Sequence, residues 1–191
     1  MKLNLYKYVS TDKLKPVLQG VFHEDGYQIA TDRMLMVKVK SDYSDTLEKK
    51  VLDKKGEIIN ATYLEKPYVN YQHVINSLLG RDLDIYPLES DFLQRLKLDF
   101  QEWKKQKGVT KRGVYGSYTF ENGAIVEISK FILFLEAAKA IGATELLAHS
   151  SSNLNMVAAT TEKGVALLAG LMKAPESDNV TEFYNVSYLY M

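Results

Sequence analysis

The 191-residue chain contains no cysteine. That absence excludes a disulfide framework, a cysteine nucleophile and any zinc–thiolate site, and it fits a cytoplasmic protein. Histidine is scarce too: His23, His73 and His149 stand far apart, none has a second ligand that makes a metal pattern, and His23-Glu24-Asp25 falls in a turn. No run approaches the ~18 apolar residues of a membrane span. The opening MKLNLYKYVS alternates polar and apolar, so no signal peptide reads from it. Neither a P-loop nor a G-x-G-x-x-G loop is present. His149-Ser150-Ser151-Ser152 lacks the G-x-S-x-G elbow and an acid partner, so it reads as a loop. No carboxylate pair stands in a readable acid/base setting. The chain is therefore expected to be no enzyme and to need no cofactor or metal.

Charge balances at 24 basic against 24 acidic residues, but unevenly. Between positions 92 and 113 stand Arg95, Lys97, Lys104, Lys105, Lys107, Lys111 and Arg112, against only Asp99 and Glu102. After Lys173 come Glu176, Asp178 and Glu182 and no base. A neutral total thus leaves a nucleic-acid partner open, because the local field decides.

Hydropathy patterning predicts an opening strand around Leu3–Val9, then one helical turn over 11–15 cut short by Pro16. A hairpin follows: Val17–His23, a Glu24-Asp25-Gly26 turn, and Tyr27–Val39 as one long strand kinked at Thr31-Asp32-Arg33. Short strands are expected at Leu47–Leu52 and Glu57–Tyr63. A connector over 66–75 packs Tyr68, Tyr71 and Val74 inward, and residues 76–91, with Gly80 and Pro87, read as a linker. Phe92, Leu96, Phe100 and Trp103 then fall at helical spacing, which predicts a helix over 91–107. A strand Val114–Phe120, a turn at Glu121-Asn122-Gly123 and a strand Ala124–Ile128 come next. The chain then gives a helix capped by Ser129 and running to Ile141, and strands Thr144–His149, Leu154–Ala159 and Val165–Met172. The aromatic end, FYNVSYLYM, is expected to fold back as an edge strand.

Pro16-Val17-Leu18-x-Gly20-Val21-x-x-x-x-Gly26, followed by Ala30-Thr31-Asp32 and an apolar strand, resembles the bacterial DNA polymerase III beta sliding clamp. The order β-α-β-β-β over 124–173 resembles the end of a clamp domain, and 3–39 gives that order in compressed form. The segment 66–75, with Pro67-Tyr68 and Tyr71-x-x-Val74-Ile75, is similar to the one that closes a clamp domain; an amphipathic connector is the alternative. The resemblance implies an α+β, DNA-clamp-like fold of two β-α-β-β-β units with antiparallel sheets. One domain is expected over 1–191, with a first unit at 3–75, a helical and basic insertion at 76–120, a second unit at 124–173 and a tail at 174–191.

The same resemblance implies helices that show DNA a basic face inside a ring of six domains. Here the first helix is expected to be too short. The second, with Phe131–Leu135 apolar in succession, offers only Lys130 and Lys139. A stable DNA-encircling ring is therefore not expected, and the 92–107 stripe is expected to pack over Phe131–Leu135 instead. For Arg95, Lys97, Lys104, Lys105, Lys107, Lys111 and Arg112 two readings stay open: a solvated helix face, or a surface tracking the DNA backbone, with Tyr115 and Tyr118 for stacking. The family's groove for partner peptides falls near Leu168, Leu171 and Met172. The partners implied are a DNA backbone, a replication protein or a second copy of the chain. The alternative is a clamp-fold interaction module, or homodimer, that binds no DNA.

Overall fold

A computed structural model describes residues 3–59, 68, 70–106, 115–170 and 183–187, with side chains left out at 106, 115 and 183–187. An eight-stranded antiparallel sheet is its frame. Its strands are β1 (Val21–Glu24), β2 (Tyr27–Thr31), β3 (Leu35–Lys40), β4 (Val51–Leu52), β5 (Asp84–Pro87), β8 (Glu145–Ser151), β9 (Leu154–Thr161) and β10 (Gly164–Ala169), in the order β4-β1-β2-β3-β10-β9-β8-β5. The small second sheet runs β11-β6-β7, from β6 (Tyr115–Thr119), β7 (Ile125–Glu127) and β11 (Phe183–Ser187). β11 lies parallel to β6, so the aromatic end does fold back as an edge strand.

Side chains alternate across a strand, and this sheet is buried on both faces. Leu35, Val37, Ala166 and Leu168 face one core with Leu146, Ala148, Val157 and Ala159. Met36, Leu167 and Ala158 face a second core with Phe22 and Ile29. The first core belongs to helix α3 (Ile128–Ile141), most of whose positions are apolar; Gly142, in the left-handed region, ends it. The second belongs to helix α1 (Tyr71–Leu79), which turns Tyr71, Ile75 and Leu78 onto the sheet. Helix α2 (Phe92–Gln106) joins the α3 side through Phe92, Leu96 and Phe100.

Several local expectations are corrected. The opening strand is a 3-10 turn, Leu5–Lys7, begun by the Asn4 side chain. Residues 11–15 hold no α-helix, and Pro16–Gln19 is a second 3-10 turn. The single strand over 27–39 is two strands, because Asp32 Oδ1 accepts from the backbone N–H of Met34 (2.9 Å) and Leu35 (2.8 Å) and closes a turn. Of the pair expected at 47–52 and 57–63, only Val51–Leu52 is a strand; Ile58 adds one bridge to Leu52, and 60–63 lie outside the described residues. The end of the connector and the start of the linker form α1, capped by Asn70. Within the linker, β5 pairs with β8. Glu127, not Ser129, stands at the N-cap of α3. Among the described residues no helix is long and apolar enough to cross a membrane.

Candidate nucleic-acid and partner interface

α2 sets the position of every described cation in the 92–113 stretch. Its apolar stripe lies against α3 and the small sheet: the Phe92 ring stands 6.1 Å from that of Phe131 and 5.8 Å from that of Tyr118. Phe100 and Trp103 stack at 6.0 Å near the helix's C-terminal end. The expected packing of this stripe over α3 is thus present. With that face fixed, the cations divide. Arg95 pairs with Glu89 and, at 3.3 Å, with Asp91. Lys97 donates to Glu136 of α3 at 2.6 Å. Lys104 lies over the Phe100 ring, 4.5 Å from its centroid, and Lys105 is exposed. Lys107, Lys111 and Arg112 lie outside the described residues.

Glu136 is the hinge of this arrangement. It accepts from Lys97 and also from Lys7 of the opening turn at 3.2 Å. Burial works to raise the pKa of its carboxyl, but the two lysines outweigh burial and hold it below the usual carboxylate range. Glu136 is thus an ionised anchor joining the opening turn and α2 to α3. Sequence reasoning missed it. The one signal was a lone acid in a largely apolar helix. The two cations of α3 also have partners within the chain: Lys130, half-buried, pairs with Asp32, and Lys139, exposed, donates to the Ser90 carbonyl at 3.5 Å.

Of the three partner-groove residues the structure describes one. Leu168 is fully buried and sits opposite Leu35 and Val157 in the sheet; Leu171 and Met172 lie outside the described residues. Tyr118, offered for stacking on bases, is fully buried in the aromatic cluster with Phe120 and Phe131. The described side chain of His23 has a structural setting. It is 1% exposed, its Nδ1 lies 3.2 Å from the Lys50 carbonyl oxygen, and its Nε2 lies 2.9 Å from the Gln28 amide nitrogen.

The helix-backed antiparallel sheet has counterparts among solved structures. One is a DnaN sliding clamp (DNA polymerase III subunit beta) from Bartonella birtlesii bound to griselimycin, with TM-score 0.52 and 14% identity over 87% of this chain and 61% of that one. Another is the chain assigned as a DNA polymerase III beta subunit from Eubacterium rectale, with TM-score 0.53 and 10% identity over 87% and 60%. The fold is that of the sliding clamps. The match spans about 60% of the length of those clamp chains. No protein-family model and no curated protein matches the sequence. At this identity the likeness carries the fold and leaves the chemistry to this chain's own residues. α3 shows α2 an apolar surface, and its two lysines contact Asp32 and the Ser90 carbonyl.

Proposed function

We propose that this chain is a non-enzymatic, clamp-fold interaction protein that holds a protein partner and does not thread DNA through a ring. The observation behind this reading is the position of α2 across α3, pinned by Phe92 on Phe131 and by Lys97 on Glu136. That position covers the helix by which a clamp of this kind faces DNA. The first unit supports the reading as well, since 3-10 turns at 5–7 and 16–19 stand where its helix belongs. The partner is a replication protein or a second copy of the chain.

A second reading keeps DNA contact at the far end of α2. Lys104 and Lys105 make no ion pair among the described residues, and the sequence continues into Lys107, Lys111 and Arg112. Contact there is with the phosphate backbone and is blind to sequence. One titration separates the two readings: fluorescence anisotropy of a labelled duplex at several salt concentrations, with wild type and a variant carrying Gln at 104, 105, 107, 111 and 112. The interaction reading predicts no binding by either protein. The second predicts a log K–log salt slope of about −0.9 per phosphate neutralised, flattened in the variant.

A further inference from the structure

We infer that the open cleft beside β4 docks an acidic protein segment that carries an apolar anchor side chain. This rests on the interaction reading above and gives it a place and a partner chemistry. The cleft holds about 580 Å³ and is lined by Pro16, Gln19, Asp53, Lys54, Lys55 and Ile59. It lies beside β4, at the outer end of the first half of the sheet.

One wall, Pro16 and Gln19, directly follows a turn at 12–15 anchored by an aspartate, and the other, Asp53 to Lys55, belongs to a second such turn; each turn holds two lysines in solvent. In the first, Asp12 Oδ1 accepts from Leu14 N–H (3.0 Å), and the Asp12 carbonyl accepts from Lys15 N–H and the Gln19 amide, both at 3.1 Å. Lys13 and Lys15 project from this turn, exposed. In the second, Asp53 Oδ1 accepts from the N–H groups of Lys55 and Glu57, both at 2.8 Å. Lys54 and Lys55 project from it, also exposed. The two carboxylates are engaged with backbone, and among the described residues none of the four lysines makes an ion pair. The two sides are held together by close approach. A Cβ on Gly20 would stand 2.5 Å from Val51 Cγ1, 2.6 Å from the Leu52 carbonyl oxygen and 2.8 Å from Ile59 Cδ1, so only glycine lets the chain close against β4 there. A site built this way fixes the backbone from which the lysines project before anything binds, which leaves only their side chains to be ordered.

The apolar groups between the cations select the class of partner. Leu14 is 90% exposed between Lys13 and Lys15, and Ile58 is 53% exposed next to Ile59. A phosphate backbone would use the lysines and leave these side chains in water. A segment that alternates carboxylates with an apolar residue satisfies both, with the apolar anchor in the cleft and the carboxylates on its rim.

The test uses the full chain, isotope-labelled for amide chemical-shift mapping, with three probes: a short peptide of acidic residues interrupted by leucines, the same peptide with lysine at each acidic position, and a single-stranded oligonucleotide. The acidic peptide should bind, shift amides at 12–19 and 53–59, and weaken with added salt. The double variant Lys54→Glu, Lys55→Glu should weaken it by ~10-fold or more, with an unchanged circular dichroism spectrum. The variant Lys104→Gln, Lys105→Gln should bind it as wild type does. Acidic-peptide binding that maps elsewhere overturns the cleft and leaves the interaction reading standing. So does preference of the cleft for the oligonucleotide, which replaces a protein partner there by nucleic acid. No binding of either peptide, together with oligonucleotide binding that depends on Lys104 and Lys105, overturns both.

Discussion

β1-β2-β3 and β8-β9-β10 are both three-stranded antiparallel meanders, joined edge to edge through β3 and β10, with the short strands β4 and β5 at the two outer ends. The half containing β8–β10 is led by α3, so its inner face is sealed by an apolar helix. The half containing β1–β3 has only 3-10 turns in the equivalent place. Its opposite face is where α1 packs, and there the attachment is partly polar: the Tyr71 hydroxyl donates to Glu24 at 2.5 Å, and Lys38 Nζ sits 4.2 Å and 4.8 Å from the Tyr27 and Tyr71 ring centroids. One strand plan thus supports two different covers. The α3 side is an aromatic core of nested rings, and the α1 side is a thin apolar layer edged with polar ties.

Substitutions break this comparison most sharply at the two cores. Phe131 is fully buried among the rings of Phe92, Tyr118, Phe120 and Phe134. Phe131→Ala should cost ~3–5 kcal/mol, and Ile75→Ala on α1 the low end of ~2–5 kcal/mol. Urea denaturation of both variants checks this; equal losses would mean that the two covers matter equally. The seam between the halves comes next. A Cβ on Gly164 would meet the Lys38 carbonyl oxygen at 2.2 Å, a backbone clash that cannot swing aside, so Gly164→Ala should cost ~1–3 kcal/mol in the same assay.

The polar ties give smaller effects. Tyr71→Phe removes the bond to Glu24 and should cost ~1 kcal/mol. It should also raise amide exchange within α1 and leave α3 unchanged. The smallest effect is in pH. Burial lowers the His23 pKa below its ordinary value, against the pull of the Lys50 carbonyl and Glu48. The folded protein therefore binds this proton less readily than the unfolded chain does. Stability from this site is complete above the unfolded value of ~6.5 and declines as pH falls toward the lower folded value. Thermal melts from pH 7.5 downward should show that decline, and His23→Gln should flatten it.

The α3 half was readable because its signals are local. The apolar run Phe131–Leu135, the stop at Gly142 and the turns at 121–123 and 162–164 each act within a few residues, and α3, β8, β9 and β10 lie where those signals put them. The first half was harder because its turns are made by side chains. Asp32 closes the β2–β3 turn with Arg33 at φ 83° and no glycine, so the sequence shows a kink and the chain makes a reversal. α1 was hidden by Pro67, although Asn70, Tyr71, Ile75 and Leu78 carry a cap and a helical stripe. The candidate cations were visible as a cluster, but their state depends on residues distant in sequence. Lys97 finds Glu136 39 positions away, which local spacing does not encode. The packing of Phe92 against Phe131 was readable because both faces are apolar and neither has another place to go.

The central claim is that α2 closes the surface by which a clamp would surround DNA. Its most direct test is gel filtration with light scattering of the protein mixed with one plasmid in two forms, nicked circular and linear. The expected result is the same small protein mass in both mixtures, with no protein held on the circle beyond what the linear form holds. A six-copy assembly that stays with the circle and is lost from the linear form would contradict it.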